Sequence, residues 1–186
     1  MRQRLRVLLS FSLSLAAACG PDGGSGSQDH SDGDPCSASQ AAPIRVGTGP
    51  ERPPFRFTPL PADLTMSPGG QGGFHVALML ASDALPADVY RARYRVERAS
   101  DGLLVSRLTA IADFVEGEGE VMTDGPILVF LCPTPPERPV IDEPLRFSVD
   151  ILGRGDCPIA TATAAFTTRC PTGASAETCA NICSGN

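Results

Sequence analysis

The sequence predicts an all-β domain, more specifically an immunoglobulin-like β-sandwich, for the part of the chain that follows residue 42. Short apolar segments there alternate at period two, which is the repeat of a strand with one buried face. Turn residues separate these segments about every 8–15 residues, and no segment keeps a helical period over three turns. The chain contains no Trp, a hallmark of true immunoglobulin domains, so a jelly roll or an open barrel is the alternative fold.

Individual strands follow from this alternation. The segments 74–80, 90–96 and 145–151 place an apolar residue at every second position. The segment 127–131 is apolar throughout, which predicts a strand buried on both faces. Asp101 and Gly102, between two strand-like segments, predict a tight hairpin turn. Shorter strand-like segments lie at 44–46, 55–57, 103–108 and 160–168.

The N-terminus has the features of an export signal. Three Arg among the first six residues precede an apolar run over 7–15, which is too short to span a bilayer. Ala16, Ala17, Ala18 and Cys19 follow, and this segment resembles the bacterial lipobox, in which small residues precede an acylated cysteine. The resemblance implies a signal peptide over 1–18, a lipid anchor on Cys19, and a location in the outer membrane or at the cell surface. The alternative is an ordinary signal peptide that is cleaved near Ala18.

Composition divides the remaining chain into three parts. Residues 19–42 comprise the acylated cysteine and a segment rich in Gly, Ser and Asp, which predicts a flexible linker. A calcium loop at 29–34 is the less favoured alternative, because too few ligands are present at regular spacing. Residues 43–170 form the β-sandwich domain. Residues 171–186 form a polar tail that contains cysteines and a helical turn at 176–182.

The charge of the chain bears on its partners. Asp and Glu number 21 against 15 Lys and Arg, and three of the Arg leave with the signal peptide. This acidic balance argues against a nucleic-acid partner and against electrostatic binding to anionic lipid headgroups. The expected contacts are therefore the membrane, through the lipid anchor, and a protein or glycan that the sequence does not identify.

Six cysteines remain once Cys19 carries lipid, and an even number in an exported chain predicts disulfide bonds. We expect a Cys132–Cys170 bond, because both residues end strands that should lie at the same pole of the sandwich. The other cysteines then pair among themselves. No metal site or cofactor is expected, because the spacing lacks clustered cysteines and His partners. The disulfide candidates are Cys36, Cys132, Cys157, Cys170, Cys179 and Cys183.

The most distinctive local motif is the glycine-rich segment 69–75, which ends at His75. Glycines bind phosphate when a helix follows, but here an alternating strand follows, so a tight turn at the start of a strand is the favoured interpretation. Gln71 and His75 are candidate ligand contacts, or they make structural hydrogen bonds. Together with segments 46–49 and 131–133, the motif resembles small lipoproteins of myxobacterial type, a resemblance that implies an immunoglobulin-like fold and an envelope location but no activity.

Arg91, Arg93 and Arg95 occupy alternate positions of a predicted strand, so their guanidinium groups should line one face. Three interpretations stay open. The arginines keep the face soluble, or they form a cross-strand ladder with Glu116, Glu118 and Glu120, which also recur at period two. In the third, they dock a polyanion, which requires the stripe to be unpaired.

These observations favour a lipid-anchored envelope protein with a non-catalytic β-sandwich that binds a partner or has a structural role. The alternative is a carboxylate-dependent hydrolase that acts on glycans of the cell envelope. A concave pocket of more than about 300 Å³ with two convergent carboxylates would favour the hydrolase. Scattered acids on convex loops would favour the binding module. The candidate acids are Asp113, Glu116, Glu118 and Glu120.

Overall fold

The described structure, a computed structural model, covers residues 41–117, 119–134 and 138–185. The predicted signal peptide, Cys19, Cys36 and nearly all of the linker lie outside these residues, as does Glu118. The strands are β1 (Ala42–Pro43), β2 (Arg45–Thr48), β3 (Thr58–Pro59), β4 (Asp63–Thr65), β5 (Ser67–Pro68), β6 (Phe74–Ser82), β7 (Val89–Arg98), β8 (Leu104–Glu116), β9 (Val121–Thr123), β10 (Ile127–Cys132), β11 (Pro144–Leu152) and β12 (Pro158–Arg169). A 3-10 helix spans Arg154–Asp156, and the helix α1 spans Ala176–Cys183.

The strands form two connected sheets, and the all-β prediction is confirmed. The first sheet has the order β1-β12-β11-β7-β8, with β4 also on β12. The second has the order β8-β9-β6-β2-β3, with β5 and β10 also on β6. The long strand β8 belongs to both sheets, because its first part pairs with β7 and its last three residues pair with β9.

Alternation along the strands explains the core. The alternating apolar positions from Ala92 to Val96 in β7 and from Leu145 to Ile151 in β11 are buried, and the positions between them are partly or fully exposed, as the period-two pattern predicts. Tyr94 on β7 stacks on Phe147 of β11 with ring centroids 6.0 Å apart, and both belong to a single cluster of buried residues drawn from the two sheets. Burying each large apolar side chain in this cluster stabilises the fold by about 1.5–3 kcal/mol.

The turn between β7 and β8 is the tight hairpin that the sequence predicts at Asp101 and Gly102. Gly102 adopts a φ of 72°, a conformation that glycine reaches without steric cost. The Arg98 amide donates to the Leu103 carbonyl at 2.9 Å, which closes the hairpin. The Asp101 carboxylate accepts a hydrogen bond from Arg98 Nε at 3.0 Å and another from the Leu103 amide at 3.1 Å.

Two strand predictions are wrong. Residues 55–57 belong to no strand, because prolines precede and follow them and proline donates no ladder hydrogen bond. The strand β10 is not buried on both faces, since Phe130 is 48% and Leu128 is 38% exposed. The continuous apolar run therefore leaves two large apolar side chains partly at the surface.

The predicted Cys132–Cys170 bond is also wrong. Cys132 bonds to Cys183, with Cα atoms 5.3 Å apart, and Cys170 bonds to Cys179, with Cα atoms 5.7 Å apart. Cys179 and Cys183 lie four residues apart in α1, so they share one face of the helix. Each strand end is therefore bonded to the helix instead of to the other strand. Cys157 is also disulfide-bonded.

The predicted helical turn at 176–182 is confirmed by α1, which extends one residue further. Its last turn packs onto the chain beyond β10, where the Thr134 amide donates to the Ile182 carbonyl at 3.2 Å. The Val140 amide donates to the Cys183 carbonyl at 3.1 Å. These bonds satisfy carbonyl groups that have no partner inside the helix, so the cysteine tail is an integral part of the domain.

Candidate binding cleft at His75

The glycine-rich motif forms a tight loop between β5 and β6. The Gly69 amide donates to the Gly73 carbonyl at 2.7 Å, and Gly72 has a φ of 85°. A side chain at Gly69 would meet the Phe130 ring at 2.9 Å, and one at Gly73 would clash with the Cys132 carbonyl. The glycines therefore allow the loop to lie directly against β10, and the motif is a turn at the start of a strand, as the favoured interpretation predicts.

His75, the second residue of β6, is 3% exposed. Its Nε2 lies 3.3 Å from Oε1 of Glu51, within ion-pair distance but without hydrogen-bond geometry. Within the described residues neither ring nitrogen has a hydrogen-bond partner. Its ring packs at 5.2 Å against Phe130, the cross-strand neighbour on β10. A buried polar group without a partner costs about 1–3 kcal/mol, so this histidine is a site where a ligand would restore a lost interaction.

His75 lies at the wall of a cleft of about 460 Å³, a volume within the range of ligand sites. The aromatic rings of Phe55 and Phe130 contribute apolar surface, and Glu51 and Asp124 contribute carboxylates. Gly69 and Gly70 of the motif complete one side. The cleft therefore combines a few polar groups with apolar walls, which is the usual composition of a ligand pocket.

Gln71 does not join His75. It lines a separate depression together with Gly73, Val105 and Cys132, with Phe130 bordering both this depression and the His75 cleft. The two candidate residues of the motif therefore point to different places, because residues before and after the glycine turn leave it on opposite sides.

The two cleft carboxylates were not candidates in the sequence. Glu51 and Asp124 both lie in loops, and Asp124 stands out only as part of a turn before Pro126. The acids that the sequence singled out lie elsewhere: Glu116 is exposed at the end of β8, and Glu120 pairs with Arg45. The cleft thus exceeds the volume set for a hydrolase and has two carboxylates in its lining, which are not the acids that the sequence predicted. Among the described residues, no group of three His, Cys, Asp or Glu could hold a metal ion.

The arginine stripe lies on one exposed face of β7, as the strand prediction requires. Arg93 pairs with Asp150, its cross-strand neighbour on β11, at 2.8 Å. Arg91 pairs with Asp156 and Arg95 with Glu97.

Neither of the two sharper interpretations of the stripe fits these contacts. The glutamate ladder fails for the described residues, because β7 pairs with β8 only as far as Asp113 and Glu116 pairs with β9. The unpaired stripe that anion docking requires is likewise not observed. Acids of β11, of the 3-10 helix and of β7 itself neutralise the three guanidinium groups, so the stripe is a solvated face with local ion pairs.

Comparison with protein-family models finds no match, and no curated protein is significantly similar to the chain. None of the helices in the described part of the chain is long and apolar enough to cross a membrane.

Proposed function

We propose that this chain is a lipid-anchored envelope protein whose immunoglobulin-like β-sandwich binds a neutral glycan in the His75 cleft without catalysis. The observation that carries the proposal is His75 itself, which is buried and has two ring nitrogens without hydrogen-bond partners in the described structure. An imidazole both donates and accepts hydrogen bonds, so a ligand with hydroxyl groups satisfies both nitrogens.

The walls of the cleft support this ligand class. A sugar ring has apolar C–H faces and polar edges, which match the exposed ring of Phe130 and the carboxylates of Glu51 and Asp124. The two carboxylates repel an anionic ligand, so a neutral glycan fits better than an acidic one. The cleft wall contains no Ser, Thr or Cys among its described residues, which supports binding over nucleophilic catalysis by those groups.

The proposal is tested by titrating the full-length protein with a panel of neutral oligosaccharides and measuring heat or fluorescence change. We expect at least one to bind, and we expect Glu51→Gln and Phe130→Ala to weaken that binding by about tenfold, the loss of about 1.4 kcal/mol. Glu116→Gln is the matched control, because Glu116 is an exposed acid outside the cleft. Equal affinities for all variants would contradict the proposal.

A second candidate function is the carboxylate-dependent hydrolase, and the shared position of Glu51 and Asp124 in one cleft favours it. Glycoside hydrolysis uses one carboxyl group as acid and the other as base or nucleophile. The same oligosaccharide panel separates the two functions, because hydrolysis releases shorter products. Product formation that is lost in both Glu51→Gln and Asp124→Asn, with binding retained, would establish the enzyme.

The anchor is tested separately from the domain. Cys19→Ser should abolish lipidation and release soluble protein, because the thioether-linked lipid has no other attachment point in the lipobox pattern. Incorporation of radiolabelled palmitate is the measurement, and Cys36→Ser is the control cysteine in the same segment. Palmitate that still enters the Cys19→Ser protein would contradict the anchor.

A further inference from the structure

After the contact between β8 and β9, the following strand, β10, diverges from β8. The Asp124 amide donates to the Asp113 carbonyl at 2.7 Å, and this is the last backbone hydrogen bond of the β8–β9 hairpin before the strands diverge. Beyond Pro126 the chain continues as β10, which pairs with β6, while the facing part of β8 pairs with β7. Within the described residues, the facing edges of β8 and β10 have no ladder partner.

The hydrogen bonds that are present show which backbone groups face this opening. The Phe114 amide donates to the Asp88 carbonyl at 2.9 Å, on the β7 side, and the Asp113 carbonyl faces the β9 side. Because successive residues of an antiparallel strand direct their amide and carbonyl groups to opposite edges, Arg107, Thr109 and Ile111 direct theirs into the opening.

The opening is an apolar groove. Leu108, which is 48% exposed, lines it from β8, and Ile127, Leu128 and Phe130 line it from β10. Two continuous depressions of about 180 Å³ and 290 Å³ make up the groove. Tyr94 lines both of them, is 2% exposed, and has a hydroxyl group without a hydrogen-bond partner in the described structure.

The environment of Tyr94 keeps this hydroxyl protonated, because burial raises the pKa of Tyr94. A neutral phenol donates a hydrogen bond at physiological pH. The Tyr94 hydroxyl is therefore a second buried polar group that a ligand would satisfy, and it is independent of the open strand edge.

The ends of the groove carry opposite charges. Arg107 lines one end, beside its cross-strand neighbour Arg95, whose charge is already paired with Glu97. Asp113 and Asp124 line the other end. Arg107 and Asp113 lie six residues apart on one strand, so the ends are separated by about 20 Å, the length of six or seven extended residues.

We propose that this groove binds an extended peptide segment of about seven residues, which adds to β8 as a further strand. The open edge supplies backbone hydrogen bonds, Leu108 and Leu128 contact alternate apolar side chains, and Tyr94 donates to a peptide oxygen. The bound peptide has an acidic residue at the Arg107 end of the groove and a basic residue at the Asp113 end. Strand addition of this kind obtains affinity from main-chain bonds and specificity from alternate side chains.

The groove follows the edge of β10 opposite the one that pairs with β6, the strand of His75. Asp124, Leu128 and Phe130 border both the groove and the His75 cleft. The test of the peptide site therefore uses Thr109 and Tyr94, which do not line the His75 cleft. An unpaired and apolar strand edge is prone to aggregate with other chains. A peptide that binds to this edge would cover it and prevent that aggregation.

The test uses two synthetic heptapeptides with alternating Val and Thr between charged ends. One has Asp first and Arg last, and the other has these charges exchanged, which covers parallel and antiparallel addition. We expect one of them to bind the full-length protein with a dissociation constant below about 100 µM, measured by fluorescence anisotropy.

The decisive variant is Thr109→Pro, which removes an amide donor that faces the groove and that the β7 ladder does not use. We expect it to weaken peptide binding by at least about tenfold, while Thr109→Val, which keeps the amide, leaves it unchanged. Tyr94→Phe should weaken it by about fivefold. Val89→Thr is the control, because Val89 is an exposed apolar residue that lines none of these clefts and the change adds no charge opposite Asp113.

Three results would overturn the proposal: no binding of either peptide, equal binding by Thr109→Pro and Thr109→Val, or self-association that Thr109→Pro abolishes. The last would assign the edge to a second copy of the chain. Thermal unfolding of each variant shows whether it is folded. Titration of the same samples with the oligosaccharides shows separately whether the His75 cleft binds a glycan.

Discussion

The arginine face of the first sheet and the side of the molecule around β10 differ in whether their polar groups have partners within the domain. On the arginine face, each guanidinium group of Arg91, Arg93 and Arg95 meets an acid of the same domain. Around β10, the buried polar atoms of the His75 and Tyr94 side chains have no hydrogen-bond partner in the described residues, although Glu51 lies 3.3 Å from His75. Large apolar side chains are exposed beside them.

This difference separates structural chemistry from candidate binding chemistry. Exposed charges that are paired internally have little left to offer a ligand, and each pair contributes only about 0.2–1 kcal/mol. Buried polar groups without partners lower the stability of the free protein and gain interactions when a ligand arrives. The conspicuous arginine stripe is therefore the less informative of the two regions, although it is the easier one to see in the sequence.

The largest expected effect concerns the disulfide that holds the end of β10. Cys132→Ala with Cys183→Ala opens a loop of 51 residues, against 9 for Cys170→Ala with Cys179→Ala. Loop-closure entropy predicts losses of about 4 and about 2.5 kcal/mol in the free energy of unfolding. Urea denaturation of the two double variants measures this order, and a reversed order would show that the β10 side is not the part of the domain that depends most on its cross-link.

A smaller effect is expected at Tyr94. Tyr94→Phe removes a buried hydroxyl group that has no described partner, so the free energy of unfolding should stay the same or rise by up to about 1 kcal/mol. Urea denaturation without any ligand is the measurement. A loss of more than about 1 kcal/mol would mean that the hydroxyl is already satisfied in the free protein.

The ion pairs of the arginine face should contribute less still. In a double-mutant cycle with Arg93→Met and Asp150→Asn, we expect a coupling energy of about 0.5 kcal/mol, because both side chains are partly exposed and directly opposite each other. The coupling should decrease at high salt. A coupling energy above about 2 kcal/mol would show that the ion pairs of this face stabilise the fold strongly, which would contradict the comparison with the region around β10.

The smallest expected effect is a titration in the hairpin turn. A hydrogen bond from the Arg98 side chain and one from the Leu103 backbone lower the pKa of Asp101 from 3.8 to about 2. The stability from this carboxylate is therefore present above the unfolded pKa of 3.8 and lost as the pH falls through about 2. NMR titration of the Asp101 carboxyl group should give that midpoint, and Arg98→Gln should return it toward the ordinary value. An unchanged midpoint in the variant would contradict the pairing.

Local patterns in the sequence were sufficient for the strands and for the direction of the arginines. Period two in 90–96 predicts that Tyr94 is buried and that Arg93 is exposed, and the structure confirms both. The acid opposite Arg93 could not be predicted, because it follows from the register between β7 and β11, which are distant in the chain.

The cleft was also predictable only in part, because its residues come from segments that are distant in the chain. His75 was a candidate because of its motif, but Glu51 and Asp124 come from loops that carry no pattern. They line the same cleft only because β2, which precedes Glu51, and β10, which follows Asp124, both pair with β6. The disulfide prediction failed because it bonded the two strand ends, Cys132 and Cys170, to each other and not to the helical turn of the tail. A helical turn brings Cys179 and Cys183 onto one face, and each then reaches a different strand end.

We expect ligand binding to take place around β10 and not on the arginine face. The most direct measurement is an NMR titration of the full-length protein with the neutral oligosaccharides, which follows the His75 ring nitrogens and the arginine Nε signals of β7. The signals of the His75 nitrogens and of the amides of 124–130 should shift, while the Nε signals of Arg91, Arg93 and Arg95 should not. Shifts at these three arginines with an unchanged His75 would contradict it.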